Sequence, residues 1–449
     1  MKPLLSRGIA GGALALVAVL IGLAVLAVGG ILGWEFTNSN WFCTNACHAV
    51  HPEEPVAHAE SPHARVQCVE CHMGRVPTLK AMVLKTEHAH ELWSMIVGYD
   101  RPVVAKTLKP ARIACEACHW PATAHDDTVR VKKHYDADAK STETTTRLIL
   151  HTGFGAIREA DARGIHWHVE NTVQYAAVDP QKQEIPWVQV TYADGRTDTF
   201  TDAASKLPAA QRDQLPRKTM DCIDCHNASG HPFPNPEDRV DAAIYASQLR
   251  QSIPDIKARV MAVMKELAAL DEKGVVSKET VAKLVDDAGS RYRQEAGGAA
   301  APAGGDEFRR VLTDILGKSV FSAPEVSWRT FPANGAHKDF PGCFRCHDGK
   351  HLNAKGQAIR LQCNLCHNVP EVQREGGPAP VASTAIPGMR QPPTHLEPNF
   401  MHDHRTRLDP SCAGCHGKTE FGRDGGSFCA NPACHGRKWP QVNLNVVSR

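Results

Sequence analysis

Residues 43–72 read CTNACHAVHPEEPVAHAESPHARVQCVECH, and two cysteine pairs closed by histidine lie inside them: CTNACH at 43–48 and CVECH at 68–72. A cysteine pair ending in Cys-His is the attachment signature of c-type haem. Two thioethers fix the porphyrin edge while the adjacent histidine is delivered to one axial face of the iron, which is why the three residues must be spaced this way. The pattern recurs downstream as CEACH at 115–119, CIDCH at 222–226, CFRCH at 343–347, CNLCH at 363–367, CAGCH at 412–416 and CANPACH at 429–435, eight motifs in all.

The chain has 16 cysteines, and eight pairs use every one: Cys43 and Cys47, Cys68 and Cys71, Cys115 and Cys118, Cys222 and Cys225, Cys343 and Cys346, Cys363 and Cys366, Cys412 and Cys415, Cys429 and Cys434. Zinc ribbons need two pairs per metal and no histidine directly after each. A disulfide framework gives no reason for histidine to follow every second cysteine. Eight covalently bound c-type haems are therefore expected, with His48, His72, His119, His226, His347, His367, His416 and His435 as proximal ligands. Six motifs have the ordinary two-residue spacer, whereas the first has three residues and the last four.

A chain of 449 residues ordinarily forms two or three domains, yet aromatics make up only 6% and four of the eight motifs crowd between Cys343 and His435. Such short segments cannot bury a protein-only core, so stacked porphyrins are expected to supply much of the buried apolar surface there. A formal net charge of +2 selects no partner, and no basic stripe suggests nucleic acid. Of 24 histidines, sixteen lie outside the motifs and more than cover the eight second axial positions.

Lys2 and Arg7 precede an uncharged apolar run at 8–33, about 26 residues, enough for a bilayer core of about 30 Å at about 1.5 Å per residue. It exceeds a secretory h-region, so a retained anchor is expected, with a cleaved signal peptide as the alternative. The positive residues keep the N-terminus cytoplasmic and place everything from Trp34 onwards in the periplasm. Residues 75–98 read as a helix with Leu79, Met82, Val83, Leu92, Trp93, Ile96 and Val97 on one broad face, read first as core and second as a membrane-interface stripe. Lys80, Lys85, Glu87, His88, His90 and Glu91 take the other side.

From 148 to 202 the segments IHWHVE, TVQYAAV, IPWVQVTY and RTDTF alternate apolar and polar, and Ala193-Asp194-Gly195 supplies a hairpin turn. His166 and His168 then share one face of a strand and can present an imidazole to a neighbouring haem. Helices are expected at 238–270, interrupted at Pro254, and at 277–295, then a flexible GGAAAPAGG linker at 297–305 and a short helix at 306–317. From Trp328 onwards little regular structure is expected beyond single turns carrying each Cys-His.

The expected fold class is mainly α with much irregular structure: a multihaem cytochrome c with one N-terminal transmembrane helix and a small antiparallel β insertion. Its segments are a cytoplasmic N-terminus and anchor at 1–33, a trihaem region at 34–140, the β insertion at 141–205, a fourth haem segment at 206–236, a helical pair at 237–296, a linker and short helix at 297–327, and a tetrahaem region at 328–449.

The anchor, FCTNACH, SPHARVQCVECH, the helix ending ELWSMIVG and then ACEACH resemble the membrane-anchored NapC/NirT/NrfH quinol dehydrogenases over roughly residues 1–120. Beyond that, MDCIDCHNASGHPF and GCFRCHDGKHLNAKGQAIRLQCNLCH are similar to the longer multihaem members, including ImcH-like inner-membrane cytochromes, and SCAGCHG with FCANPACHG looks like an appended dihaem unit. The resemblance implies oxidation of membrane quinol, menaquinol above all, near the first haem, with electrons passed to periplasmic cytochromes or reductases in anaerobic or extracellular respiration. Lipid and quinol are then partners, and a homo-oligomer is compatible. By the same resemblance His63 matches a distal ligand to another haem, and Lys85 and Glu91 occupy about the positions of the lysine and acid beside the quinol.

The remaining distal candidates are His88, His90, His166, His168, His231, His337, His351, His402 and His404, while His58, His125, His134, His151 and His395 stay unassigned. The chain departs from the family at its first motif, where the spacer is longer and Ala49-Val50 replaces the usual x-Met after His48. A five-coordinate first haem would fit quinol access. Two other functions compete: a multihaem reductase of a small nitrogen or sulfur compound, and a secreted filament-forming cytochrome.

Overall fold

An α-helix spanning Pro3–Asn38 (α1) opens the chain. A helix apolar all round has no face with which to tell core from solvent, and its large side chains from Leu14 to Leu32 stand more than half exposed. Its stretch Leu14–Asn38, 25 residues, is long and apolar enough to cross a membrane, with every spanning amide paired inside the helix. The computed structural model describes residues 3–47, 53–87, 93–94, 96–98, 111–119, 127–153, 164–192, 194–249, 251, 253–271, 277–296, 301–319, 328–362, 365–368, 370–377, 393–403 and 440–444. Outside them lie the motifs at 412–416 and 429–435 together with His48, His88, His90, Glu91, Cys363 and His404. The chain forms two compact units, Met1–Tyr99 and Asp100–Arg449.

In the first unit Ser39 ends α1, its hydroxyl accepting the Phe42 N–H at 3.1 Å and so capping the next turn. Cys43–Cys47 then form a widened, π-type turn. That geometry absorbs the extra spacer residue and keeps backbone positions 43 and 47 about one turn apart. Among the described residues the helices Glu53–Ala59 (α2), Cys68–His72 (α3) and Thr78–Glu87 (α4) follow. The apolar stripe read first as core proves exposed at Leu79 (77%), Trp93 (64%) and Ile96 (77%), while Ala81 and Leu84 on the other side of α4 are buried. Exposure of so much apolar surface beside a spanning helix favours the interface reading over the core reading.

Among the described residues of the second unit, Ala111–Glu116 (α5) comes first and two antiparallel sheets follow. Strands Thr128–Tyr135 (β1) and Glu143–Leu150 (β2) form a hairpin in register from Thr128↔Leu150 to Tyr135↔Glu143. A helical turn at Trp167–Glu170 (α6) precedes Thr172–Ala176 (β3), Trp187–Thr191 (β4) and Thr197–Asp202 (β5), and Gly195 at φ +80° makes the β4–β5 turn. Lys218–Thr219 (β6) leads into the helical turn Cys222–Cys225 (α7). Two strands come from the C-terminal stretch expected to be irregular: His351–Leu352 (β7) and Glu371–Arg374 (β8). The sheet orders are β1-β2-β8 and β6-β3-β4-β5-β7.

IHWHVE is not a strand: His166 caps, and His168 lies inside, the helical turn α6. Residues two apart on a helix point about 200° apart around its axis, so the two imidazoles diverge instead of sharing a face. The turn is imposed from outside, because Ile165 donates its N–H to His151 O (2.7 Å) and His166 to Thr152 O (3.0 Å). Gly164 permits this approach, since a Cβ there would meet His151 O at 2.2 Å.

Between β6 and β7 the chain makes a helical excursion of Pro236–Tyr245 (α8), Ile256–Asp271 (α9), Lys278–Ala296 (α10) and Ala301–Ser319 (α11). Asn235 caps α8 by accepting the Asp238 N–H at 2.8 Å, with Pro236 in the first turn. Helix α8 ends well before Pro254, where Ser247 adopts φ +57° and Leu249 sends its N–H back to Ala243 O. Helix α11 takes up the 301–305 part of the expected linker, because Tyr292 stacks on Phe308 at 5.4 Å and Gly305 lies against Arg293. The core of this region is apolar and fully buried, with Val240, Leu249, Ile256, Val260, Leu312 and Leu316 each 0% exposed. Lys257, 1% exposed, joins it to β1: its Nζ lies 2.7 Å from Asp241 Oδ1, and Asp241 Oδ2 lies 2.7 Å from His134 Nδ1. The excursion leaves and returns at one place, where Asn227 donates to Pro332 O (2.6 Å), accepts from Asn334 N–H (2.9 Å), and Phe233 stacks on Phe331 at 4.5 Å.

Candidate functional site

In the first unit the second motif is held to the turn that precedes the first by the Cys68 N–H, which donates to Asn40 Oδ1 at 2.9 Å. A hydrogen bond from Cys43 reaches the Cys68 thiol and holds it below the usual thiol range. Lys85, at the end of α4, donates to Thr37 Oγ1 at 2.7 Å and lies 4.4 Å from the centre of the Trp34 ring. Both partners sit at the C-terminal end of α1. Burial lowers the lysine below its ordinary value, opposed by the nearby Cys43. Its partner by sequence, Glu91, lies outside the described residues.

In the second unit the third and fourth motifs meet. The Arg112 N–H donates to Asp221 Oδ2 at 3.2 Å, and the Cys115 thiol, raised by burial, is hydrogen-bonded by Cys222. Asp221 and Asp224 form a reciprocal capping box around α7. Asp224 is buried, and its carboxylate accepts from Tyr175 Oη (2.7 Å) and Lys182 Nζ (2.5 Å). The fifth motif locks onto the fourth through its own spacer residue: Arg345 Nη2 donates to Asp224 O at 2.7 Å. Gly342, at φ +55°, makes the tight entry to that motif, since a Cβ would meet Ala336 O at 2.2 Å. The sixth motif extends β2, with His151 N–H donating to Cys366 O and Asn368 N–H to Ile149 O. Cys366 hydrogen-bonds the Cys343 thiol and holds it low.

Among the described residues, the proximal histidines His226, His347 and His367 each face a second imidazole. Ring centres are 6.2 Å apart for His166 and His226, 5.7 Å for His168 and His347, and 6.1 Å for His337 and His367. A metal–imidazole bond is about 2.0 Å, so two imidazoles on opposite faces of one iron put their ring centres roughly 6 Å apart. The hydrogen bonding suits such ligation. Nδ1 of His168, His347 and His367 meets the carbonyls of Ile165 (2.7 Å), Arg360 (2.5 Å) and Asn368 (2.5 Å), the tautomer that leaves the Nε2 lone pair for a metal. Burial lowers His168, His226 and His347, the last to about 4, so the rings stay neutral as a ligand must. His402 donates Nδ1–H to Leu444 O at 2.9 Å, and its buried Nε2 finds no hydrogen-bond partner among the described residues. The residues present fit covalently attached, bis-histidine haem.

The other sequence candidates divide. His351 is fully buried with both nitrogens engaged inside the protein, Nδ1 with Asp348 Oδ1 (2.9 Å) and Nε2 with Ile185 O (2.6 Å). His63 sits in a turn whose N–H donates to Ser61 Oγ at 3.0 Å. His231 follows α7 in the loop leading to α8 and is half-buried.

The description "NapC/NirT cytochrome c family, N-terminal region" matches residues 5–102. Across most of its length the chain is also similar to the cytochrome c-type protein ImcH of Geobacter sulfurreducens, 33% identical over 366 residues, covering 79% of this chain and 71% of that protein. The chain belongs to the NapC/NirT cytochrome c family. Membership, with the apolar α1, makes it a membrane multihaem c-type cytochrome of electron transfer with covalently bound haem. No solved structure matches it. Within this NapC/NirT chain the residues that sequence reasoning missed are the charged spacers Asp224 and Arg345 and their anchors Tyr175 and Lys182. Their one signal in sequence is an opposite charge at the third spacer-side position of neighbouring motifs, which says nothing until the motifs meet in space.

Proposed function

We propose that the chain is an octahaem quinol dehydrogenase of the bacterial inner membrane, taking electrons from menaquinol and delivering them to periplasmic cytochromes or reductases. The observation that carries the reading is Lys85, held between Thr37 and Trp34 at the end of α1 in the same compact unit as Cys43. Haem attached at each Cys-His motif supplies reversible one-electron chemistry there. The cysteine pairs would hold it covalently, and the motif histidines together with His63, His337 and His402 would supply nitrogen ligands to its iron. His351 leaves that set and takes a structural role. Lys85, half-buried and lowered by burial, accepts a quinol proton as a general base, with Glu91 as the second group. Thr37 and the Trp34 ring orient the amine toward the bilayer boundary.

The detergent-extracted holoprotein mixed with a menaquinol analogue is expected to show haem reduction in the visible spectrum. No reduction by a thermodynamically competent quinol would sink the proposal. Only the neutral amine accepts a proton and burial depresses its pKa, so the rate rises with pH through a value below the ordinary lysine range. Lys85→Met removes that limb while leaving reduction by dithionite unchanged.

A further inference from the structure

We propose that the turn at 165–169 is a two-iron bridge. His166 gives the second axial ligand to the haem attached at Cys222 and Cys225, and His168 gives that of the haem attached at Cys343 and Cys346. The assignment rests on the haem reading above and goes further, since one four-residue helix would clamp two successive haems.

Ring centres at this separation also occur in ordinary aromatic contacts. What singles these out is pairing: each histidine of the turn faces the proximal histidine of a different motif, His226 at 6.2 Å and His347 at 5.7 Å. The spacing matches the 6.1 Å of His337 and His367, contributed by other segments. Helical geometry makes the double role achievable, because residues two apart diverge by about 200°. On a strand both rings would lie on one side and compete for one iron.

The turn is also braced as a bridge must be. Backbone bonds to His151 and Thr152 fix its start, Arg112 Nη1 donates to Val169 O at 3.1 Å near its end, and Trp167 packs against Tyr192 at 5.9 Å. The two motifs it would join are already fastened to each other by Arg345 and Asp224 O. Neither ring is therefore free to swing to another iron.

The test uses full-length holoprotein carrying His166→Ala, His168→Ala or both. Haem content by pyridine haemochromogen is expected to stay constant, since the thioethers remain. Low-temperature electron paramagnetic resonance should show one haem turned high-spin in each single variant and two in the double, with added imidazole restoring the low-spin signal. Should alanine disturb folding, His166→Met and His168→Met keep a ligand and are each expected to raise the potential of one haem in a redox titration. Low-spin spectra and unmoved potentials in all of these variants would overturn the bridge. So would two haems turning high-spin in a single alanine variant whose methionine counterpart moves no potential. Wild-type protein lacking covalent haem by intact mass would overturn the haem reading itself, a result separate from either.

Discussion

The helical excursion and the sheet scaffold beside it solve the same problem of stability by different means. Among the described residues, α8–α11 with their connections and Tyr135 bury twenty apolar residues in one cluster, whereas β3, β4 and Ile185 gather five, with Trp167 and Cys346 packed at the edge. The first region has its hydrophobic core in its own side chains. The second is shaped around spaces between imidazoles about 6 Å apart, and its strands serve to aim motifs: β6 leads into the fourth, β7 holds the segment after the fifth, and the end of β2 receives the sixth. A fold built around a covalent cofactor need not close on itself.

The largest effect that could break this contrast is haem removal. A chain produced without haem attachment is expected to lose amide protection throughout β3–β8 and the motif turns while 236–319 stays protected, read segment by segment in hydrogen exchange. Equal loss in both regions would erase the distinction. Next in size is the buried ion pair that ties the excursion to β1. Lys257→Met leaves the buried Asp241 without its lysine, with only His134 and the Tyr135 N–H beside it, and is expected to cost about 3–5 kcal/mol in denaturant unfolding, most of it recovered in the Asp241→Leu/Lys257→Met double variant. Haem spectra should not change. Smaller still, Gly164→Ala puts a Cβ within 2.2 Å of His151 O and is expected to cost about 1–3 kcal/mol. Its mark falls on the other side of the comparison: altered haem resonances with hydrogen exchange in α8–α11 unchanged.

Covalent haem was legible in the sequence because a cysteine pair closed directly by histidine has few other uses, and the apolar helix α1 because twenty-odd apolar residues have few others either. Helices α9 and α10 were legible for the ordinary reason, apolar periodicity, with Ser277 capping the start of α10 by accepting the Thr280 N–H. Other features were hidden for physical reasons. IHWHVE alternates as a strand does, and its helical turn comes from hydrogen bonds to 151–152 that no local pattern encodes. Strands of two and four residues such as β7 and β8 are too short to show a period. Ala301–Gly305 reads as linker until Tyr292 and Phe308 stack, when packing overrides propensity. The role of His351 depends on Asp348 beside it and on Ile185, 166 positions away in sequence.

The closed neck at Asn227, Phe233, Phe331 and Asn334 has an evolutionary reading. A segment whose two ends already touch can be gained or lost without stretching its host, because the host chain closes over the gap with a short connection. The haem-free helices can then be shortened to a brief loop without rewiring the motifs on either side.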